Sequence, residues 1–347
     1  MMRNILIIKP SSFGDIVQAL PVAARLRRAL PGARICWLVN AQYSRLLGGN
    51  PCVDRLILFP RHLWKPSGTL ARATASFVSI CRALYAEGFD AVLDLQGLLR
   101  SAAFTAATVS PVRAGFAGAR EGAPLLYNVK VREPSPEMHA VEKYLLIPAA
   151  LGFGGGGVSF PLGTGAAHRE LAARLLEGLP PRDRAPRVGL SVTARWASKR
   201  WPLHSFARLG DRAAEAGAAV VAIGAFAGEG AAAAAMMKRP ALPVDGVGDP
   251  LAMAALLERL DVLVTNDTGP MHLAAAVGTP VVALFGPTNP ARTGPWGPGH
   301  RVVCAAADCR PCYRRECDAP GWCMASIGAD RVWDETEAVL RARGGGP

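Results

Sequence analysis

Val262-Leu263-Val264-Thr265-Asn266-Asp267-Thr268-Gly269-Pro270-Met271-His272-Leu273-Ala274-Ala275-Ala276, with Pro280-Val281-Val282-Ala283-Leu284-Phe285-Gly286-Pro287-Thr288 behind it, decides the fold. The apolar run from Val262 predicts a strand buried on both faces. A small polar loop then leads into a helix, and a second apolar run ends in a glycine turn. Strand, helix and strand in this order make a βαβ unit with parallel strands. The loop presents the unpaired N–H groups of a helix start, and the helix dipole adds positive potential there. Phosphate is the first expected ligand.

The alternation continues outward. Residues 5–9, 34–39, 55–59 and 91–95 read as strands, and 16–29, 71–87 and 141–151 as helices. Helices follow at 168–176, 206–216, 251–260 and 330–343, with strands at 187–192 and 219–223. Between the two runs lies a Gly/Pro-rich stretch at 152–165. Its Gly152-x-Gly154-x-x-Gly157 matches a dinucleotide fingerprint in form, but it follows a helix and not a strand, so it reads as a linker. The prediction is α/β: two Rossmann-like domains facing across a cleft. The first covers residues 1–160 and the second 161–329, with residues 330–347 as a closing helix and tail. In such sheets ligands sit beyond the carboxyl ends of the strands.

Size and charge narrow the function. The 347 residues suit two cores, and the net charge of +12 favours anionic partners. An Arg-rich surface with no steering role is the plainer alternative. There is no basic-aromatic sheet pattern and no zinc finger with histidines, so nucleic acid is not expected. No apolar run reaches the ~18 residues of a spanning helix, and residues 5–8 are too short for a signal peptide. A cytoplasmic protein, free or held at a membrane surface, is expected, with reduced cysteines.

Each motif falls at a predicted strand end. Lys9-Pro10-Ser11-Ser12-Phe13-Gly14-Asp15 joins the first strand to the first helix. Asp15 there is either a helix cap or a carboxylate at the cleft mouth, able to take a proton from an attacking hydroxyl. Gly14 would permit an unusual turn. Thr193-Ala194-Arg195-Trp196-Ala197-Ser198-Lys199-Arg200 is either a solvated basic loop or a diphosphate site, with Lys199 neutralising the leaving phosphate. Asp267 and His272 are either a cap and a core histidine or parts of the same site. Gln96 and Arg100, with Arg61, His62, Lys65, Arg113 and Arg120, make either a basic acceptor surface or an ordinary solvated face. Cys309, Cys312, Cys317 and Cys323 could hold zinc in a closed structural site. With only one Cys-x2-Cys pair, a reduced cluster is preferred and no metal is assigned.

Together these motifs resemble the heptosyltransferases of glycosyltransferase family 9. The shared marks are Ser11 to Asp15, Asp94-x-Gln96-Gly97-Leu98, His139-Ala140-Val141-Glu142-Lys143-Tyr144-Leu145, Lys199-x-Trp201-Pro202, Asp267-Thr268-Gly269-x-x-His272, Phe285-Gly286-Pro287-Thr288 and the Cys-x-Pro-Cys of 309–312. The resemblance implies a GT-B fold, with the acceptor on the N-terminal domain, the sugar nucleotide on the C-terminal one, and the final helix packed back on the first. It implies an inverting transfer of L-glycero-D-manno-heptose from ADP-heptose to Kdo-lipid A or heptosyl-Kdo-lipid A in the lipopolysaccharide inner core. No metal or other cofactor is required, and contact with the anionic inner-membrane surface is peripheral.

Carried over by residue, Asp15 is the general base, and Lys199 and Thr193 contact the diphosphate. Asp267, Thr268, Gly269 and His272 line the donor site. Glu229 is nearest to the family's ribose-binding glutamate, one residue off its place, and Ala194 fills one position of an expected hydroxyl pair. Ser12, Gly14, Arg61, Gln96, Arg100 and Arg120 serve the acceptor. The cysteine-rich tail leans towards the second heptosyl step. Transfer of another sugar, epimerisation of a sugar nucleotide, and sugar-nucleotide binding without catalysis are the alternatives.

Overall fold

The computed structural model describes residues 2–59, 70–317 and 323–344. The chain divides into two units, Met1–Gly163 and Thr164–Pro347.

The first unit runs β1 (Asn4–Ile8), α1 (Phe13–Ala29), β2 (Arg34–Asn40), β3 (Arg55–Phe59), α2 (Leu70–Ala86), β4 (Ala91–Asp94), α3 (Leu99–Ala107), β5 (Val112–Phe116), β6 (Val129–Val131) and α4 (Ala140–Ala150). Its strands lie in the order β3-β2-β1-β4-β5-β6, all parallel. Ile5 of β1 is aligned with Ile35 on one side and Ala91 on the other. Ile5, Leu6, Ile7 and Ile8 are fully buried, as a central parallel strand covered on both faces must be. Leu6, Ile8, Cys36, Leu38 and Val92 pack with Phe59, Phe89 and Phe104 into a core.

The second unit runs α5 (Ala166–Leu175), β7 (Arg187–Ser191), α6 (Leu203–Glu215), β8 (Ala219–Gly224), α7 (Glu229–Ala235), β9 (Leu242–Asp245), α8 (Pro250–Leu257), β10 (Val262–Asn266), α9 (Gly269–Ala276), β11 (Val281–Phe285), α10 (Pro290–Thr293), β12 (Arg301–Cys304) and α11 (Ala329–Gly344). Its order is β12-β11-β10-β7-β8-β9, again all parallel. Read from β9, this is the first unit's order repeated. Each sheet therefore reverses its winding once, between β1 and β4 and between β7 and β10, and a doubly wound sheet opens a crevice at that point.

The expected final helix is α11. Val332, Trp333 and Val339 join Val188, Leu190 and Phe206 in the second unit's own core, beside α6 and β10 to β12. That apolar face of α11 is therefore used within the second unit. The Gly152 to Gly157 stretch follows α4, as a linker should, and Gly156 offers its carbonyl to Arg25. Among the described residues no helix is long and apolar enough to cross a membrane.

Candidate active site

In the first unit the site is built where β1 and β4 end. The chain leaves β1 through buried Lys9 and enters α1 at Phe13. Ser12, not Asp15, is the N-cap, and Asp15 sits in the first turn of the helix with its carboxylate reaching back. Its Oδ2 accepts from the Ser12 N–H at 2.9 Å and from the Ser12 hydroxyl at 2.6 Å, the acidic half of a capping box. Gly14 lies inside that first helical turn, so the unusual turn expected of it is not what it supplies. The cap and base readings of Asp15 are compatible, since its side chain remains 38% exposed. Oδ1 accepts from the Tyr144 hydroxyl at 3.3 Å, and the Lys9 ammonium stands 4.0 Å away. Burial pushes the Lys9 ammonium below its ordinary range, with Asp15 and Asp94 opposing the shift. Burial and the Asp15 charge push the Tyr144 phenol far up, so it remains a donor.

At the end of β4, fully buried Asp94 ties the next turn together. Its Oδ1 accepts from the N–H groups of Gln96 and Gly97, and its Oδ2 from the Tyr127 hydroxyl at 2.6 Å. Burial raises the Asp94 carboxyl, against these hydrogen bonds. The turn brings Gln96 out of the sheet, with a buried Oε1 that has no hydrogen-bond partner. The Arg120 N–H donates to the Gly97 carbonyl, which places the Arg120 loop beside Gln96. Arg100 opens α3, its guanidinium 5.8 Å from the Phe59 ring centroid. Arg113 is used inside the unit, on the carbonyls of Leu126 and Ser110. Arg61, His62 and Lys65 lie outside the described residues.

Beyond the ends of β8, β9 and β10 in the second unit, the helices α7, α8 and α9 begin differently. Asp245 closes α7 by accepting from Gly230 N at 2.6 Å and Ala231 N at 3.1 Å. Asp249 caps α8 through Leu251 N and Ala252 N. At α9 the cap residue, Thr268, makes no side-chain cap bond, and its hydroxyl turns back to the Asn266 carbonyl. The α9 start is therefore the one of the three that no capping carboxylate fills, which suits a phosphate.

Lys199 stands at this place. Its ammonium is 2.6 Å from Asp267 Oδ2 and 4.6 Å from the Trp196 ring centroid. Asp267 is only 5% exposed and also accepts from the Thr288 hydroxyl at 2.7 Å. The loop bearing Lys199 is fastened to β10, where Asn266 accepts from Trp201 N and donates to the Val192 carbonyl. His272 is buried in the first turns of α9. Thr193 donates to the Glu229 carboxylate and accepts from Ala225 N, so these two donor-site candidates do meet. Gly224 permits this, because a Cβ there would lie 2.6 Å from Gly230 N.

Sequence reasoning missed Lys9, Tyr144 and the Asp94–Tyr127 pair as site-shaping groups. A lysine ending an otherwise apolar strand was the available signal. The cysteine segment folds over the β11 end: Arg310 bonds the carbonyls of Gly286, Ala305 and Thr288, and Ser198 donates to the Arg314 carbonyl. All eight thiols are free, and among the described residues no group of three or more His, Cys, Asp or Glu could hold a metal ion.

Comparison with known proteins bears on the fold and the family. Residues 77–323 match the family described as glycosyltransferase family 9 (heptosyltransferase). Lipopolysaccharide heptosyltransferase 1 of Escherichia coli K12 is 31% identical over 316 residues, spanning 87% of this chain and 93% of its own. Lipopolysaccharide heptosyltransferase 2 of the same organism is 26% identical over 354 residues, spanning 97% and 98%. The solved structure of E. coli heptosyltransferase WaaC with ADP superposes with a TM-score of 0.75 at 26% identity, covering 97% of this chain and 99% of that one. With two parallel doubly wound sheets of the GT-B class and the family's motifs at their strand ends, this chain belongs to glycosyltransferase family 9, the heptosyltransferases.

Proposed function

We propose that this chain transfers L-glycero-D-manno-heptose from ADP-heptose to Kdo-lipid A, inverting the anomeric carbon. The observation that carries the reading is the Lys199 ammonium held on Asp267 beside the uncapped start of α9. That place offers a cation and backbone amides to a diphosphate in a chain of this family. The second unit binds the donor: Lys199, Thr193 and the Thr268 and Gly269 N–H groups take up the charge of the departing ADP as the sugar–phosphate bond breaks. Glu229 serves the ribose, and Asp267 and His272 shape the pocket. The first unit presents the acceptor through Ser12, Gln96, Arg100 and Arg120. Its hydroxyl attacks the anomeric carbon directly and gives its proton to Asp15. One displacement inverts the centre, and no metal or other cofactor is required.

The higher identity to heptosyltransferase 1 supports the first heptosyl step. The second step is the alternative, favoured by the Cys309 to Cys323 tail. The +12 charge supports peripheral contact with the anionic cytoplasmic face of the inner membrane, at ~1 kcal/mol per cation near the surface. Mass spectrometry of reactions with ADP-heptose tests the reading. One added heptose on Kdo-lipid A is expected. Addition only to heptosyl-Kdo-lipid A would assign the second step. Product from the donor alone, or none on any core acceptor, would sink the proposal.

A further inference from the structure

The Asp15 carboxylate is held from two directions. Ser12, in its own loop, donates twice to Oδ2. From α4, far away in sequence, the Tyr144 hydroxyl donates to Oδ1, and Lys9 at the end of β1 faces the same oxygen. Tyr144 is 5% exposed and Lys9 4%. The Lys9 ammonium lies 4.8 Å from the Tyr144 ring centroid, so phenol and ammonium form one buried floor under a carboxylate that stays open to solvent.

Packing alone does not call for these polar groups. The Tyr144 ring sits 6.5 Å from the Phe116 ring, and a phenylalanine would fill that space as well. A buried ammonium is costly unless an anion faces it. The Tyr144 hydroxyl bonds one oxygen of the residue proposed as the base, and the Lys9 ammonium, which donates to the Leu95 carbonyl at 3.4 Å, stands 4.0 Å from that same oxygen.

We infer that Tyr144 is a positioning residue for the transfer: its hydroxyl, with Lys9 against its ring, fixes Asp15 Oδ1 and favours the ionised carboxylate that takes the acceptor's proton. The inference rests on Asp15 being the base. A hydrogen bond donated to a carboxylate, and a cation near it, both favour the charged form. Lys9 at the end of β1 and Tyr144 from α4 face Asp15, and Lys9 itself feels Asp15, Asp94 from β4 and Lys143 from α4. Lys143 is itself paired with Glu133, and Asp94 is bound by Tyr127 and two amides.

The test is Tyr144→Phe in the full chain, which keeps the ring and removes the hydroxyl. Steady-state turnover of ADP-heptose with Kdo-lipid A is measured across pH. The expected result is a kcat lower by on the order of tenfold, a fraction of the ~10²–10⁴ that a general base supplies. The KM for ADP-heptose stays unchanged, and the acid limb of the profile moves to higher pH. Lys9→Met moves that limb in the same direction. An acid limb that superimposes on wild type, whether or not kcat falls, overturns the positioning role. Asp15→Asn separates the two levels. Wild-type turnover in that variant removes the base and this inference together, whereas a dead Asp15→Asn with an unmoved Tyr144→Phe profile removes only the inference.

Discussion

Replacing Lys199 by Met separates two roles of one ammonium. Its bond to Asp267 is 2.6 Å long, between side chains 16% and 5% exposed. Removing one partner of a buried ion pair costs ~3–5 kcal/mol, and the partial exposure of Lys199 favours the lower end. The Thr288 hydroxyl remains as one donor to the stranded carboxylate. At ~2–4 °C per kcal/mol for a unit of this size, the melting temperature falls by about 6–12 °C. Loss of a charge aimed at the leaving diphosphate lowers kcat by ~10²–10³ as well. The double variant Lys199→Met/Asp267→Asn tells the effects apart. A neutral amide can still accept from Thr288, so most of the lost stability returns, while turnover stays low. Thermal melts and initial rates on the three proteins read both quantities. Refutation comes from a single variant that keeps wild-type kcat, or from a double variant that regains turnover along with its stability.

Further outcomes follow from individual contacts. A Cβ on Gly115 would lie 2.3 Å from the Tyr127 ring, whose hydroxyl is pinned to Asp94, so Gly115→Ala should cost ~1–3 kcal/mol in denaturant unfolding; an unchanged midpoint would contradict this packing. Burial raises the Asp94 carboxyl above its ordinary value, so the native state keeps a proton that the unfolded chain has already released, and this group's contribution falls as pH rises between those two values. Asp94→Asn removes that titration and should gain stability on wild type as pH increases through the range; a flat or opposite difference would refute it. EDTA should leave turnover unchanged, because Lys199 and the α9 start carry the charge role; activity lost to chelator and restored by a divalent metal would refute that assignment.

The sheets were legible because parallel strands covered on both faces must be apolar throughout. Residues 5–8 and 262–264 announce themselves in this way, and β3, an edge strand with exposed Arg55 and Leu58, still coincides with its predicted span through its run of Leu56 to Phe59. The strands β5, β6 and β9 did not, since Arg113, Gly115, Lys130 and Pro243 interrupt short segments towards the sheet edges. The start of α1 was read three residues late because Ser12, three residues before Asp15, completes a capping box that residue identity alone does not distinguish from a loop. At the site, Asp15, Lys199 and Asp267 could be named from local motifs. Tyr144 could not be paired with Asp15, because that contact exists only once α4 has packed on α1. The bond between Thr193 and Glu229 likewise depends on β7 and β8 lying side by side.

Asp15→Ala, followed by both transfer and donor titration, tests the division of labour most directly. Turnover on Kdo-lipid A should fall by ~10²–10⁴, the usual contribution of a general base, while the Kd for ADP-heptose from calorimetry stays at the wild-type value. Undiminished transfer in that variant, or a donor affinity that collapses with it, would contradict a first unit that supplies the base and a second that holds the sugar nucleotide.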